Sequence, residues 1–392
     1  EQTAGSGDYK TVTQSSWPTE GYKFNAELSK CENGSTLSWD DTKKAVIMQG
    51  NVSDKCYVYF DIWIPSIADY CTSGTDLATC VKNFGDQGPS VSNIYIHNSS
   101  LTNGAGDNSY RYAGANPNNF VCFGSDASPC PIDNLYRIIG VFGENYHGAN
   151  GKQLVKLIKY DYMTTDELGT DGDYSQTYKE WGMDSTYKGT YGDGERIGVY
   201  YWNYKATGSA KNTWSTSLLN KTNLNTNFIN NIGTTWANKI ATVTWKVGGN
   251  TWANIGTKTS SVAYTNEITN PVTTNTTDNA TTYSAKIGLM YVSDYGYSVQ
   301  KNYWGEILFN YNGISIDGPL RLLNWMYMGA TEWTISPDTT ATYDVFAIYY
   351  DGRIINQTVD DLSFYFRPVF FLNSSVSYVS GTGTQSDPIR IN

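Results

Sequence analysis

Val345-Phe346-Ala347-Ile348-Tyr349-Tyr350-Asp351-Gly352-Arg353-Ile354-Ile355-Asn356 is a pair of apolar runs joined by Asp-Gly. Asp-Gly supplies the positive φ that a tight hairpin turn needs, and that turn suits the right-handed twist of its flanking strands. The stretch predicts an antiparallel hairpin. Residues 362–372 are apolar on both faces, as a central strand is, and Pro368 within them points to an edge or a bulge. Residues 136–142, 154–159, 240–247 and 287–292 also read as strands, and Gly248-Gly249 offers a second turn towards Thr251-Trp252. Leu218, Leu219, Leu224 and Phe228 suit short helices over 214–230. The pattern predicts an α+β, β-rich class.

The front of the chain is organised differently. All six cysteines, Cys31, Cys56, Cys71, Cys80, Cys122 and Cys130, lie in the first third. An even, clustered set in a polar chain reads as disulfides made in an oxidising compartment. Sequential pairing, Cys31–Cys56, Cys71–Cys80 and Cys122–Cys130, closes three local units. The loop-closure model assigns about 3.5 kcal/mol to the first. A metal site has neither a CxxC pair nor histidines beyond His97 and His147. Residues 1–30 read as an extended arm, able to pair as a strand with a neighbouring subunit. Residues 31–65 read as a small disulfide-stapled meander of three strands. Residues 66–130 form a cysteine-containing loop and helix region, its helix expected from an N-cap at Thr75 to a C′ at Gly85. A last domain is expected over 131–392.

Composition narrows the function. The chain has 392 residues, 27 Lys+Arg against 37 Asp+Glu, and a net charge of -10. That balance excludes nucleic acid as an expected partner, since such binding rests on neutralised phosphates. Charged residues are only 16% of the chain, while Tyr numbers 32 and Trp 12. Amphipathic aromatics suit extracellular surfaces and protein contacts. No apolar run is long enough to span a bilayer, and without an apolar leader Glu1 reads as the start of a processed chain.

Several strings resemble an uncharacterised family of bacterial surface proteins of gut Gram-positive type. They are Cys31-Glu32-Asn33-Gly34 with Trp39-Asp40, Cys56-Tyr57-Val58-Tyr59-Phe60, residues 135–142 and 286–297, Glu332-Trp333-Thr334-Ile335-Ser336, residues 367–374, and residues 378–388. The resemblance covers about 31–392. It implies that 131–392 is a C-type-lectin-like domain, a fold shared with formylglycine-generating enzymes. That enzyme class needs reactive cysteines in this domain, and none follows Cys130. The calcium triplets of sugar-binding lectins, Glu-Pro-Asn or Gln-Pro-Asp with Trp-Asn-Asp, are also missing. Neither activity carries over.

A catalytic set is not evident. GxSxG, HExxH, P-loop and dinucleotide patterns are absent, and His97 and His147 read as ordinary surface or loop residues. Glu144, Asp193 and Glu195 lie near aromatics, but their spacing sets no pair of the kind glycoside hydrolysis needs. Asp166, Asp171 and Asp173 crowd one stretch that reads as a solvated acidic loop, with a structural calcium as the alternative. Eight Asn-X-Ser/Thr sequons begin with Asn33 and end with Asn373, a weak hint in a bacterial chain. Arg367 interrupts an apolar strand and predicts a buried pair with a carboxylate. In Val199-Tyr200-Tyr201-Trp202-Asn203-Tyr204, a strand would set Tyr200, Trp202 and Tyr204 on one face. These three are the candidate ligand or subunit contacts, although core packing on both faces is the simpler reading.

No catalytic, cofactor or metal residue is assigned. The expectation is a non-enzymatic extracellular or cell-surface structural protein, a repeating subunit of a filament or pilus-like appendage whose partners are copies of itself. The alternatives are a monomeric adhesin binding a glycan or host-surface ligand and, less favoured, a carbohydrate-active enzyme.

Overall fold

The hairpin forms, but its loop is one residue longer than Asp351-Gly352, since the Tyr349 amide donates to the Arg353 carbonyl across Tyr350-Asp351-Gly352. In this computed structural model, Asp344–Ile348 and Ile354–Thr358 are antiparallel, with Ile348 opposite Ile354. Gly352 turns with φ 96°. The structure describes residues 17–18, 21–50, 53–143, 146, 152–168, 199–204, 210–272, 280–360 and 364–392. They fall into two units, Glu1–Pro65 and Ser66–Asn392, in a mixed, strand-rich fold that contains disulfides. Among the described residues no helix is long and apolar enough to cross a membrane.

The first unit is built of three separate two-stranded ladders. β1 (Tyr22–Phe24) pairs with β6 (Phe60–Ile62), β2 (Lys30–Cys31) with β5 (Cys56–Tyr57), and β3 (Thr36–Asp40) with β4 (Ala45–Gln49). The three-strand meander is thus corrected: the β3–β4 hairpin is not joined to the Cys56 strand. Cys31 and Cys56 face one another and are bonded. The Asp40 carboxylate closes the hairpin by accepting the Thr42 and Lys43 amides at 3.0 and 2.9 Å. Phe60 collects Trp17, Phe24 and Trp39 around it, ring centroids 5.6–6.1 Å away. The arm expected over 1–30 is corrected where it is described, because Tyr22–Phe24 pairs within its own unit. Residues 1–16 and 19–20 lie outside the described set.

The second unit is organised by one antiparallel sheet. Its strands are β7 (Ile94–Ile96), β8 (Tyr110–Tyr112), β9 (Phe120–Cys122), β10 (Leu135–Phe142), β11 (Leu154–Lys159), β14 (Ile287–Gly288) and β20 (Val369–Phe371), in the order β14-β20-β11-β10-β8-β7, with β9 also on β10. Every residue of β10, β11 and β20 is buried, which explains their unbroken apolar reading. Residues 66–130 belong to this unit, since β7, β8 and β9 share the sheet with β10. The helix Leu77–Gly85 packs on β10, β8 and β7. Its N-cap is Asp76, not Thr75: the Asp76 side chain accepts the Thr79 amide at 2.9 Å. Cys71–Cys80 ties this helix to the segment before it, and Cys122–Cys130 closes the turn after β9.

Other readings are corrected. β12 (Val243–Lys246) pairs with β13 (Thr282–Ala285), not across Gly248-Gly249. A Cβ on Gly249 would meet the Pro337 carbonyl oxygen at 1.9 Å, so this glycine serves close approach and not a hairpin. Thr251 caps the helix Trp252–Ile255. The strand over 287–292 stops at Gly288; Asp294 then accepts the Tyr291 amide at 3.0 Å and opens the helix Val292–Ser298. Pro368 stands just before β20, its carbonyl accepting the Lys159 amide.

Candidate functional site

Strands β8 and β11 and the helix Val292–Ser298 bring charged side chains together inside the second unit. Lys156, on β11, is wholly buried and lies 2.5 Å from the Asp294 carboxylate, also wholly buried. The Tyr146 hydroxyl bridges them, accepting from Lys156 Nζ at 3.0 Å and donating to Asp294 Oδ1 at 3.1 Å. The Tyr146, Tyr291, Phe142, Phe371 and Trp245 rings lie within 4.6–5.8 Å of the ammonium. Desolvation disfavours the charge and Asp294 only partly restores it, so Lys156 falls to about 8.

Arg111, on β8, extends the cluster. It donates to Asp107 and Ser109 at 2.7 Å and is surrounded by Phe142, Tyr146, Tyr264 and Tyr297. Burial is the largest single influence and opposes its charge, but Asp107, Tyr146, Tyr264 and Asp294 together outweigh it and raise its pKa. Burial likewise pushes Asp107 up, while Arg111, Ser109 and Tyr264 hold it down at about 2. Glu267, in the turn Thr265–Thr269, accepts the Ser293 amide at 3.1 Å and the Ser336 hydroxyl. It has no basic partner among its hydrogen bonds, and desolvation carries it up to about 7.

The sequence-derived candidates are placed elsewhere. Tyr200 and Trp202 are fully buried, and their role as ligand or subunit contacts is corrected. The Trp202 indole donates to the Thr334 carbonyl at 2.9 Å, and Tyr200 stacks edge-on to Phe366. The run is no strand beyond a single bridge from Tyr200 to Phe364, so the alternating-face argument lacked its geometry. Tyr204 remains 40% exposed. All six cysteines are bonded as expected. His97 does lie in a loop, just after β7, but is corrected from an exposed position to a buried one. It is wholly buried between Tyr297 and Trp304, its Nδ1 accepts the Ala105 amide, and burial and Arg111 push its pKa well below the usual range. Arg367 does form its buried pair, with Glu332, through two bonds of 2.8 and 2.9 Å. Asp166 is exposed; His147, Glu144, Asp171, Asp173, Asp193 and Glu195 lie outside the described residues.

Lys156, Arg111, Asp294 and Glu267 were missed. The signal that found Arg367, a charge inside an apolar strand, is also present at Lys156 in Leu154-Val155-Lys156-Leu157-Ile158. Among the described residues, no three His, Cys, Asp or Glu side chains gather to hold a metal. A pocket there, beside Asn212, Trp214 and Tyr283, has a volume of about 10 Å³. That admits one water, not a ligand. No family model, curated protein or solved structure matches the chain.

Proposed function

We propose that this is a non-enzymatic extracellular structural protein whose copies assemble into a cell-surface filament, with a C-type-lectin-like second unit serving as a rigid body. The observation that carries the reading is how little the described residues of the first unit bury. Among its described residues only Ser35, Ala45 and Val46 are buried. Ile62 and Ile64 are 74% and 77% exposed, and Tyr22, Leu28 and Met48 are exposed as well. A two-stranded ladder is marginal alone, and each of its edges offers unpaired backbone groups to another chain. Three such ladders with exposed apolar side chains suit a module completed by a second copy. The disulfides support an oxidising location. The described residues of the second unit fill its interior, which supports a role as a shaped body.

Sedimentation velocity and electron microscopy of the purified chain test this. The expected result is concentration-dependent growth into elongated assemblies that Ile62→Lys with Ile64→Lys abolishes. A single species of one-chain mass at every concentration would contradict it.

A further inference from the structure

We propose that Lys156 and Asp294 are joined in the mature protein by an intramolecular amide bond between Lys156 Nζ and Asp294 Cγ. Such a bond would cross-link β11 to the first turn of the helix Val292–Ser298. This inference does not depend on assembly.

The case begins with a contrast among the buried ion pairs. Arg367–Glu332 and Arg111–Asp107 use guanidinium groups, which stay protonated and are poor nucleophiles. Lys159 stands 3.4 Å from Glu167, whose side chain is partly open to solvent. Among the described ion pairs, Lys156–Asp294 alone combines an amine and a carboxyl that are both 0% exposed, and they are 2.5 Å apart. Their positions in the chain are 138 residues apart, so the fold has delivered a nucleophile to an acyl carbon and fixed them there. Groups so held react as though at very high concentration.

The surroundings ease the Lys156 amine towards its neutral, nucleophilic form, because burial disfavours its charge. Five aromatic rings around Nζ exclude water and disfavour separated charges. Transfer of one proton from the ammonium to the carboxylate gives an amine and a carboxylic acid. The amine lone pair attacks Asp294 Cγ. One N–H proton passes to the departing hydroxyl, the C–O bond breaks and one water leaves. The Tyr146 hydroxyl touches both Nζ and Oδ1, so it can accept the first proton while donating its own. Glu267 holds the Ser293 amide beside Asp294 and supplies a second carboxyl that burial favours in its protonated form. The reaction needs no oxidant, metal or cofactor, and the dry site slows the reverse hydrolysis.

Peptide mass spectrometry of the reduced, proteolysed protein decides the matter. The expected result is a branched peptide joining the Lys156 and Asp294 segments, lighter by one water than the two together. Recovery of both segments as separate, unmodified peptides would overturn the proposal. The measurement uses the unaltered chain, so it does not depend on any variant folding. Lys156→Arg keeps the positive charge and is expected to give only unbranched peptides; a branch surviving there would remove Lys156 from the bond.

Discussion

Glu1–Pro65 and Ser66–Asn392 solve the same problem in opposite ways. The second unit buries whole strands on both faces and takes arginines, lysines and carboxylates into its interior with their partners. Among its described residues the first buries almost nothing and relies on one sulfur–sulfur bond, an aromatic group around Phe60 and short ladders. The lesson is that a large core can carry charge internally, whereas a small module must borrow stability from covalent bonds or from a partner.

The largest expected effect breaks the second unit alone. Arg367→Met leaves the Glu332 carboxylate buried without its cation, at a cost of about 3–5 kcal/mol. Chemical denaturation should show the loss, while proteolysis within 21–62 should be unaltered. Cys31→Ser with Cys56→Ser is the converse experiment. It should remove about 3.5 kcal/mol from the first unit, enough to unfold it, as limited proteolysis will show, and leave the midpoint of the second unchanged.

A third effect concerns pH. Burial raises Glu267 from 4.5 to about 7. A raised carboxyl favours the folded state while it is protonated. Its contribution is therefore full below pH 4.5 and is lost as pH climbs through 7, about 3 kcal/mol in all. Glu267→Gln should flatten this part of the stability profile of the second unit. The smallest effect sharpens the contrast most. Ile62→Lys with Ile64→Lys should change monomer stability by no more than about 0.5 kcal/mol, as exposed sites do, yet prevent assembly in sedimentation.

Local rules carried the sequence reading far. Asp351-Gly352 needs only its own turn chemistry, the sequential cysteine pairs close short loops, and Arg367 stands out because an unpaired charge is costly in an apolar strand. The reading failed where distant residues decide. Tyr200 and Trp202 are enclosed by Phe364, Phe366, Thr334 and Trp214, a setting that no alternation rule over six residues can supply. His97 gives no local sign of its enclosure by Tyr297 and Trp304. Lys156 carried the same signal as Arg367, but its partner Asp294 lies two residues beyond the strand read over 287–292, in a helix turn that reading does not anticipate.

Hydrogen exchange at Tyr22–Phe24 and Phe60–Ile62, followed as protein concentration rises, tests most directly whether a second copy completes the first unit. The account predicts slower exchange at these two strands with increasing concentration and unchanged exchange across β10 and β11. Protection at Tyr22–Phe24 and Phe60–Ile62 that is the same at every concentration would contradict it.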